Sequence, residues 1–346
     1  MEAVLQKFGI PSDALMIPIN SGIINKTWKV CSAKGNYILQ QINDHVFAKP
    51  ELIHSNITAI ATYLKKNYSN YLFPAPIQNI DGNPLLQLPE FGYFRVFPFI
   101  EGTHTIDVVA NPKQAFEAAE QFGRFSAYLG GFNCSQLKVT IPDFHNLSYR
   151  YQQFQEALTA GNQERIHNER NLIEKLIRLN FLVKQYDAIT NNSSFKKRVT
   201  HHDTKISNVL FNEYDNAVCI IDLDTVMPGY FISDVGDMMR TYLCDVSENE
   251  EDISKVHIRP DYYYAIVEGY YKEMQHELTA EEKKNFFFAG QFMIYMQALR
   301  FLTDYLNNDI YYQIQYPAHN LVRAINQVVL LERLMEYETE FKKMKL

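Results

Sequence analysis

The sequence of 346 residues has few cysteines and lacks long apolar runs. Its 4 cysteines are scattered, without the paired spacing of a zinc site or the density of a disulfide framework, so we expect buried free thiols. No run of about 18 apolar residues could span a bilayer, and the amino terminus lacks the charged and then apolar pattern of a secretory signal. These absences predict a cytoplasmic protein without a membrane partner.

Positive charge is scarce as well. The 33 lysines and arginines are outnumbered by 40 aspartates and glutamates, which gives a formal net charge of −7 at pH 7. Nucleic-acid binding needs a concentrated basic surface, so we expect no nucleic-acid partner, and the balance still allows a local basic pocket for ATP. With 47% hydrophobic residues and no repetitive stretch, the chain should be ordered throughout, and its length favours two lobes.

The segment that carries chemistry places Asp203, Asn208 and Asp222 close to the spacing of a kinase catalytic loop and the metal-binding aspartate after it. A hydroxyl attacking the γ-phosphate of ATP must lose its proton, so Asp203 is predicted to be the base. The oxygens of Asn208 and Asp222 suit Mg²⁺, which prefers oxygen ligands and keeps several waters. Lys205 is predicted to neutralise charge on the transferred phosphoryl group.

The residues around these positions predict a hairpin. Residues 209–211 and 218–221 have the apolar pattern of short strands, and the polar residues 212–216 suit a turn between them. Such a hairpin would bring Asn208 and Asp222 together at one end. The alternative, two unrelated acidic loops at this spacing by chance, explains neither the hairpin nor the lysine.

These motifs resemble the aminoglycoside phosphotransferase and choline kinase superfamily, and within it most closely the N-acetylhexosamine 1-kinases. The resemblance is carried by residues 201–208, 221–229 and 234–241, and it extends from about residues 20–27 to 300–306. It implies a kinase that uses ATP as co-substrate and Mg²⁺ as cofactor to phosphorylate the anomeric hydroxyl of GlcNAc or GalNAc. The implied partners are ATP and a small-molecule sugar, and we expect a monomer or a weak homodimer.

The same resemblance implies an α+β, two-lobed protein-kinase-like fold. Residues 1–100 would form a small antiparallel-sheet N-lobe with one helix, and residues 101–346 a mainly helical C-lobe with the catalytic loop and the acceptor pocket. Strand-like runs at 28–31 and 36–42 predict a hairpin in the N-lobe. Apolar spacing predicts helices in three stretches: 50–66, 111–129 and two or so within 149–186.

The nucleotide pocket departs from the broader kinase pattern. Residues 20–25 resemble the loop that covers ATP phosphates, although one glycine stands where protein kinases have three, and an ordinary turn is the alternative. The strand lysine that contacts phosphates should fall near Gln40, whose neutral amide brings no positive charge. The N-acetylhexosamine 1-kinases share this glutamine, yet a nucleotide-binding pseudokinase stays open. Seven residues are predicted to contact ATP: Ser21, Gly22, Thr27, Gln40, and, at the hinge between lobes, Phe99, Ile100 and Glu101.

Acceptor specificity is predicted in the carboxy-terminal segment, where aromatic residues concentrate beside charged ones. Sugar faces pack on aromatic rings while charged groups hold hydroxyls, although a helical core explains most of these aromatics equally well. The resemblance matches Arg300 and Tyr311 to sugar-contacting positions. Five residues are predicted to contact the acceptor: Asp203, Asp224, Arg240, Arg300 and Tyr311. Choline, an aminoglycoside or another amino alcohol is the alternative acceptor.

Three further aspartates have competing interpretations. Asp224 follows Asp222 by two positions, so it either senses Mg²⁺ or substrate or serves as a hydrogen-bonded turn residue. For Asp234 we favour acceptance of backbone hydrogen bonds over metal binding, because carboxylates after a metal loop often fix its shape. Asp237 is predicted to pair with Arg240.

Overall fold

The amino-terminal part of the chain folds into one antiparallel sheet, described by a computed structural model that covers residues 1–19, 24–344 and 346. The strands lie in the order β1-β2-β3-β5-β4 and are preceded by a short helix, α1 (Glu2–Lys7). Their bounds are β1 (Leu15–Ile19), β2 (Lys26–Ser32), β3 (Gly35–Ile42), β4 (Leu86–Leu88) and β5 (Gly92–Pro98). The hairpin predicted at 28–31 and 36–42 is therefore confirmed as β2 and β3.

A small apolar core holds this sheet together. Side chains from β2, β3 and β5 pack with those of α1, and all are withdrawn from water. At about 25 cal/mol per Å² of apolar surface, such burial is the main stabilising contribution to a lobe of this size. The members of this core are Val4, Leu5, Phe8, Ile10, Val30, Leu39, Leu86, Phe94 and Val96.

The helix α2 (Pro50–Asn67) confirms the helix predicted at 50–66, but it packs on the larger core of the helical lobe. Its amide side chain Asn56 donates to the carbonyls of Lys138 at 2.8 Å and Val226 at 3.0 Å, and accepts the Lys138 N–H at 2.7 Å. The sequence alone predicts that this helix belongs to the N-lobe. The boundary between residues 100 and 101 stays a prediction.

The remainder of the chain is mainly helical. The helix predicted at 111–129 is confirmed as α3, and the Asn111 side chain caps it by accepting the Gln114 N–H. The stretch 149–186 contains parts of four helices rather than two. The bounds are α3 (Pro112–Tyr128), α4 (Leu147–Ala160), α5 (Gln163–Asn168), α6 (Arg170–Arg178), α7 (Phe181–Thr190), α8 (Phe231–Tyr242), α9 (Pro260–Met274), α10 (Ala280–Lys283), α11 (Phe286–Leu306), α12 (His319–Glu336) and α13 (Glu338–Phe341).

Two small strand pairs in this lobe position the catalytic segment. The predicted hairpin is confirmed as β7 (Val209–Phe211) and β8 (Ala217–Ile220), while β6 (Arg198–Thr200) pairs with β9 (Met227–Gly229). The chain between β6 and β7 is the predicted catalytic loop. The two-lobed, kinase-like α+β fold expected from the sequence is thus confirmed. Within residues 1–19, 24–344 and 346, no helix combines the length and apolarity needed to cross a membrane.

Candidate active site

Two buried carboxylates of α8 hold the catalytic loop by its backbone. Asp234 accepts the N–H groups of His201 at 3.1 Å and His202 at 2.8 Å, and Asp237 accepts the N–H of Thr204 at 2.8 Å. Burial raises the pKa of Asp234 to about 7. The backbone-anchoring role predicted for Asp234 agrees with this arrangement.

The buried imidazole of His201 connects the catalytic loop to the residue before Asp222. Its Nδ1 accepts the Asp203 N–H at 3.3 Å, so the proton resides on Nε2, which donates to the Ile221 carbonyl at 3.0 Å. Burial is the main cause that lowers the pKa of His201 to about 4, which keeps the ring neutral. His201 therefore orders the loop and does not carry charge in the site.

Asp203 lies between a cation and an amide. The Lys205 Nζ is 3.0 Å from Asp203 Oδ2, and the Asn208 Nδ2 donates to the same oxygen at 2.9 Å and to the Asp203 carbonyl at 2.8 Å. Burial alone would raise the pKa of Asp203, but the charge and hydrogen bond of Lys205, with further help from His201 and Asn208, lower it. The carboxylate is thus ionised, and it is 27% exposed, so an acceptor hydroxyl can reach it.

Asp222 is held in a strained backbone conformation beside Asp203. Its φ of 59° lies in the left-handed region, where a non-glycine residue costs about 1–3 kcal/mol and is often found at a functional site. Burial, followed by the charges of Asp224 and Asp203, raises the pKa of Asp222 to about 7. Burial and the two neighbouring carboxylates therefore disfavour a negative charge on Asp222.

The donor atoms around this charge fit Mg²⁺. Asn208 uses its amide nitrogen toward Asp203, which leaves the amide oxygen for a metal. In the part of the chain that the structure describes, neither carboxylate oxygen of Asp222 accepts a hydrogen bond. The amide oxygen of Asn208 and a carboxylate oxygen of Asp222 match the ligand preference of Mg²⁺. This hard cation binds oxygen atoms and also keeps waters and phosphate oxygens as ligands.

A buried ion pair that the sequence did not reveal lies next to these residues. Asp224 accepts from Arg95 Nη2 at 2.9 Å and from Asn25 Nδ2 at 2.8 Å, and Arg95 Nη1 lies 2.5 Å from its other oxygen. The Arg95 Nε donates to Gln40 Oε1 at 2.9 Å, and the Gln40 Nε2 donates to Thr27 Oγ1 at 3.3 Å. Thus two predicted ATP residues and Asp224 belong to one network. In the sequence, this ion pair is indicated only by the occurrence of a single arginine within the otherwise apolar β5.

The hinge residues follow β5 and are fixed against β3. The Phe99 N–H donates to the Asn36 carbonyl at 3.1 Å, and the Asn36 Nδ2 donates to Glu101 Oε1 at 2.7 Å. The Ile100 carbonyl accepts from Thr103 Oγ1 at 2.6 Å. Contacts between this segment and adenine stay a prediction. Ser21 and Gly22 lie outside the described residues.

Three of the predicted acceptor residues, Arg240, Arg300 and Tyr311, are each held by contacts within the chain. Arg240 is paired with Asp237 at 3.1 Å, as predicted, and with Glu248 at 2.9 Å. Arg300 donates to a neighbouring amide of its own helix and lies near aromatic rings. Tyr311 is 70% exposed and is fixed through its backbone N–H to Asp304.

Two residues that the sequence did not predict as site residues, His145 and Arg150, lie near the catalytic loop and Arg300. The His145 Nδ1 is 3.3 Å from the Nδ1 of His202, the neighbour of Asp203. Burial, then His202 and the guanidiniums of Arg300, Arg240 and Arg150, lower the pKa of His145 well below its usual value. Arg150 and Arg300 both lie beside Phe144, the residue before His145: the Arg150 Nη2 donates to the Phe144 carbonyl at 3.5 Å, and the Arg300 guanidinium lies 5.8 Å from the centre of the Phe144 ring. Because the two arginines come from α4 and α11, no local sequence pattern relates them.

Comparison with known proteins agrees with this geometry. Residues 16–262 match the family model described as the phosphotransferase enzyme family, and this range contains the whole segment from β6 to β9. The chain belongs to the phosphotransferase enzyme family. Asp203, Lys205, Asn208 and Asp222 all lie within the matched residues of this phosphotransferase, whereas Arg300 and Tyr311 lie beyond them.

Solved structures share the fold of this phosphotransferase at low sequence identity. An aminoglycoside phosphotransferase from Alicyclobacillus acidocaldarius is 12% identical, with a TM-score of 0.63 over 99% of this chain and 97% of that one. An amicoumacin kinase in complex with AMP-PNP, Ca²⁺ and Ami is 13% identical, with a TM-score of 0.61 over 96% and 93%. A choline kinase from Cryptosporidium parvum is 12% identical, with a TM-score of 0.56 over 98% and 96%. These likenesses show the fold.

Proposed function

We propose that the protein is an ATP- and Mg²⁺-dependent sugar kinase that phosphorylates the anomeric hydroxyl of an N-acetylhexosamine, GlcNAc or GalNAc, to the sugar 1-phosphate. The observation that carries the proposal is the ionised Asp203 between Lys205 and Asn208, beside the carboxylate of Asp222. The complex of the amicoumacin kinase with AMP-PNP and Ca²⁺ supports a nucleoside triphosphate with a divalent cation.

The transfer is a direct displacement. The acceptor oxygen forms a bond to the γ-phosphorus, the bond from that phosphorus to the β–γ bridging oxygen breaks, and ADP leaves. Asp203 orients the hydroxyl and takes its proton. Lys205, whose pKa is raised by Asp203 and Asp222 against the effect of burial, stays protonated and stabilises the charge of the moving phosphoryl group.

Asn208 and Asp222 would hold the metal ion through the amide oxygen and the carboxylate oxygens, which accept no hydrogen bond from residues 1–19, 24–344 and 346. When bound, Mg²⁺ neutralises phosphate charge and fixes the phosphate geometry. The backbone of Asp222 is pinned on both sides, since the Ile221 N–H donates to the Asn208 carbonyl at 2.8 Å and Thr225 Oγ1 donates to the His201 carbonyl at 2.6 Å. The chain itself thus presents the two ligands at a fixed separation.

The charge beside the catalytic loop favours a neutral acceptor over a cationic one. In the described part of the chain, neither Arg150 nor Arg300 is paired with a carboxylate: they donate to Gln153 at 2.8 Å and Gln297 at 3.1 Å. Choline and protonated amino alcohols would be repelled by these guanidiniums, whereas sugar hydroxyls and an acetamido oxygen accept from them. Phe144 and Tyr312, near Arg300, offer rings for a sugar face.

An acceptor panel tests this proposal. Phosphate transfer from ATP is measured with GlcNAc, GalNAc, glucose, galactose, choline and several aminoglycosides, for the wild type, Arg300→Gln and the surface control Arg170→Gln. We expect turnover with the N-acetylhexosamines, a rise in the sugar KM of at least tenfold in Arg300→Gln, and wild-type values in Arg170→Gln. Turnover restricted to choline or aminoglycosides would reject the sugar assignment, and nucleotide binding without any turnover would favour a pseudokinase.

A further inference from the structure

A fully buried arginine stands beside the place where a kinase lysine was expected. Arg95 on β5 pairs directly with Gln40 on β3, and opposite residues of neighbouring strands point to the same face. The Arg95 Nε donates to Gln40 Oε1 at 2.9 Å, and the side chain is 1% exposed. The small lobe therefore brings a positive charge to this position from β5 instead of β3.

The partner of this charge comes from the other lobe. Arg95 contacts both carboxylate oxygens of Asp224, at 2.5 and 2.9 Å, and Asp224 also accepts from Asn25. In a protein kinase the corresponding lysine pairs with a glutamate of the small-lobe helix. Here α2 contributes the buried His54 near the pair, while its Glu51 is exposed. A buried charge needs a partner, and Asp224 provides one for Arg95.

Asp224 lies in the turn that directly follows Asp222. The helical lobe holds this turn through the bonds of Ile221 and Thr225 to the catalytic loop, and the small lobe holds it through Arg95. The strained Asp222 is thus fixed between one anchor in each lobe. Loss of the small-lobe anchor would allow the turn to relax.

We propose that Arg95 is a positioning residue that acts through Asp224 to fix the Asp222 carboxylate for the metal of a bound nucleotide, in place of the strand lysine that Gln40 replaces. The inference rests on the proposed function in that the ligand is a nucleoside phosphate with a divalent cation. It does not depend on which acceptor is phosphorylated. With 1% of its side chain exposed and both terminal nitrogens at Asp224, Arg95 would act through this carboxylate and not on the acceptor.

Nucleotide affinity of the full chain, measured by calorimetry, tests the inference. ADP is titrated with Mg²⁺ and again with EDTA, and adenosine is titrated separately, for the wild type, Arg95→Gln, Arg95→Lys and the ion-pair control Arg124→Gln. We expect Mg²⁺ to increase the ADP affinity of the wild type. In Arg95→Gln this Mg²⁺-dependent increase should be at least tenfold smaller, while the affinity for adenosine should be unchanged. Arg95→Lys should be intermediate, and Arg124→Gln should equal the wild type.

A purely structural role would lower the melting temperature and leave the Mg²⁺-dependent gain within twofold of the wild type, which would overturn the inference. Because Arg95→Gln leaves the buried Asp224 unpaired and could unfold the chain, Arg95→Gln/Asp224→Asn is measured beside it. The same loss is expected in the double variant, and a wild-type gain there would also overturn the inference. Absence of ADP binding in the wild type would instead reject the proposed function.

Discussion

The carboxylate of Asp203 is the group on which the proposed chemistry depends. Lys205 and Asn208 both contact its Oδ2, so the carboxylate is ionised and its orientation is fixed. A low pKa makes it a weak base in the ground state, but it suffices to orient the hydroxyl and to accept the proton as the new bond forms.

Replacement of this carboxylate tests that role. Asp203→Asn should lower kcat by about a hundredfold or more, because general bases contribute roughly 10²–10⁴ to the rate. ADP affinity should change little, since Asp203 is predicted to contact the acceptor and not the nucleotide. Steady-state kinetics beside the exposed control Asp13→Asn check this, and near-wild-type turnover of Asp203→Asn would reject the assignment.

The buried His54 should make the stability of the folded chain depend on pH. It is 7% exposed, and burial, followed by the charge of Arg95, lowers its pKa to about 4. Below about pH 6.5 the unfolded chain gains a proton that the folded chain cannot take up, so stability falls as pH drops from about 6.5 toward 4. One such proton is worth about 1.4 kcal/mol per pH unit.

We expect His54→Gln to weaken this pH dependence. Urea unfolding at pH 7 and pH 5 should show a smaller loss of free energy in the variant than in the wild type, by about 2 kcal/mol at most. The exposed His167→Gln serves as the control and should lose as much as the wild type. Equal losses in His54→Gln and the wild type would contradict the prediction.

Individual residues could be predicted where the chemistry requires a fixed spacing along the chain. Asp203, Asn208 and Asp222 lie together because they bracket one hairpin. Arg95 and His145 could not be predicted, since their roles arise from strand register and from contacts between distant segments. The sequence shows a missing lysine but not which neighbouring strand supplies the charge.

At the scale of elements, α8 is the support of the catalytic loop. Its Asp234 and Asp237 bind the loop backbone, and its other face packs on α11. Gly236 lies at the contact: a Cβ there would be 2.3 Å from the Ala289 carbonyl oxygen and 2.9 Å from the Met293 Cβ. The glycine between the two aspartates therefore sets how closely the helices approach.

Gly236→Ala should push α8 away from α11. Alanine is the better helix former by about 1 kcal/mol, but overpacking a tight contact costs about 1–3 kcal/mol, and a backbone carbonyl cannot move aside. We expect a lower free energy of unfolding and a reduced kcat, because both aspartates move with the helix. Denaturant unfolding checks this, and a variant more stable than the wild type would show that the contact is not tight.

The helices were predictable as elements, though not by their packing partners. Apolar spacing identifies α2 and α3 within one or two residues. It does not show that α2 packs on the helical lobe, which depends on the amide contacts of Asn56 with residues far along the chain. The interval 149–186 was the least predictable, because short helices separated by single turns lack a long periodic pattern.

At the scale of the molecule, the candidate site lies where the two lobes meet. The small lobe contributes Gln40 and Arg95, and the helical lobe contributes the catalytic loop and Asp222. A ligand that contacts both lobes stabilises the folded chain by mass action, by about 2.7 kcal/mol at a hundred times its dissociation constant. The two-lobed fold was predictable because the catalytic motif resembles that of a kinase superfamily whose members have this fold.

We expect Mg²⁺ and ADP together to raise the melting temperature by several degrees more than ADP with EDTA. The reason is that, in the proposal, Asn208 and Asp222 would hold the metal, whose positive charge would favour binding of the phosphates. A thermal shift series with the wild type and Asp222→Ala measures this. The variant should keep the shift caused by ADP alone and lose the Mg²⁺ increment; an increment equal to that of the wild type would contradict the metal assignment.

The most direct measurement is the identity of the product formed from ATP, Mg²⁺ and an N-acetylhexosamine, determined by ³¹P and ¹H NMR with Asp203→Asn as the blank. The proposal predicts one new phosphomonoester whose phosphorus couples to the anomeric proton, formed by the wild type and absent from the blank. Phosphorylation at another hydroxyl, or equal product formation by Asp203→Asn, would contradict it.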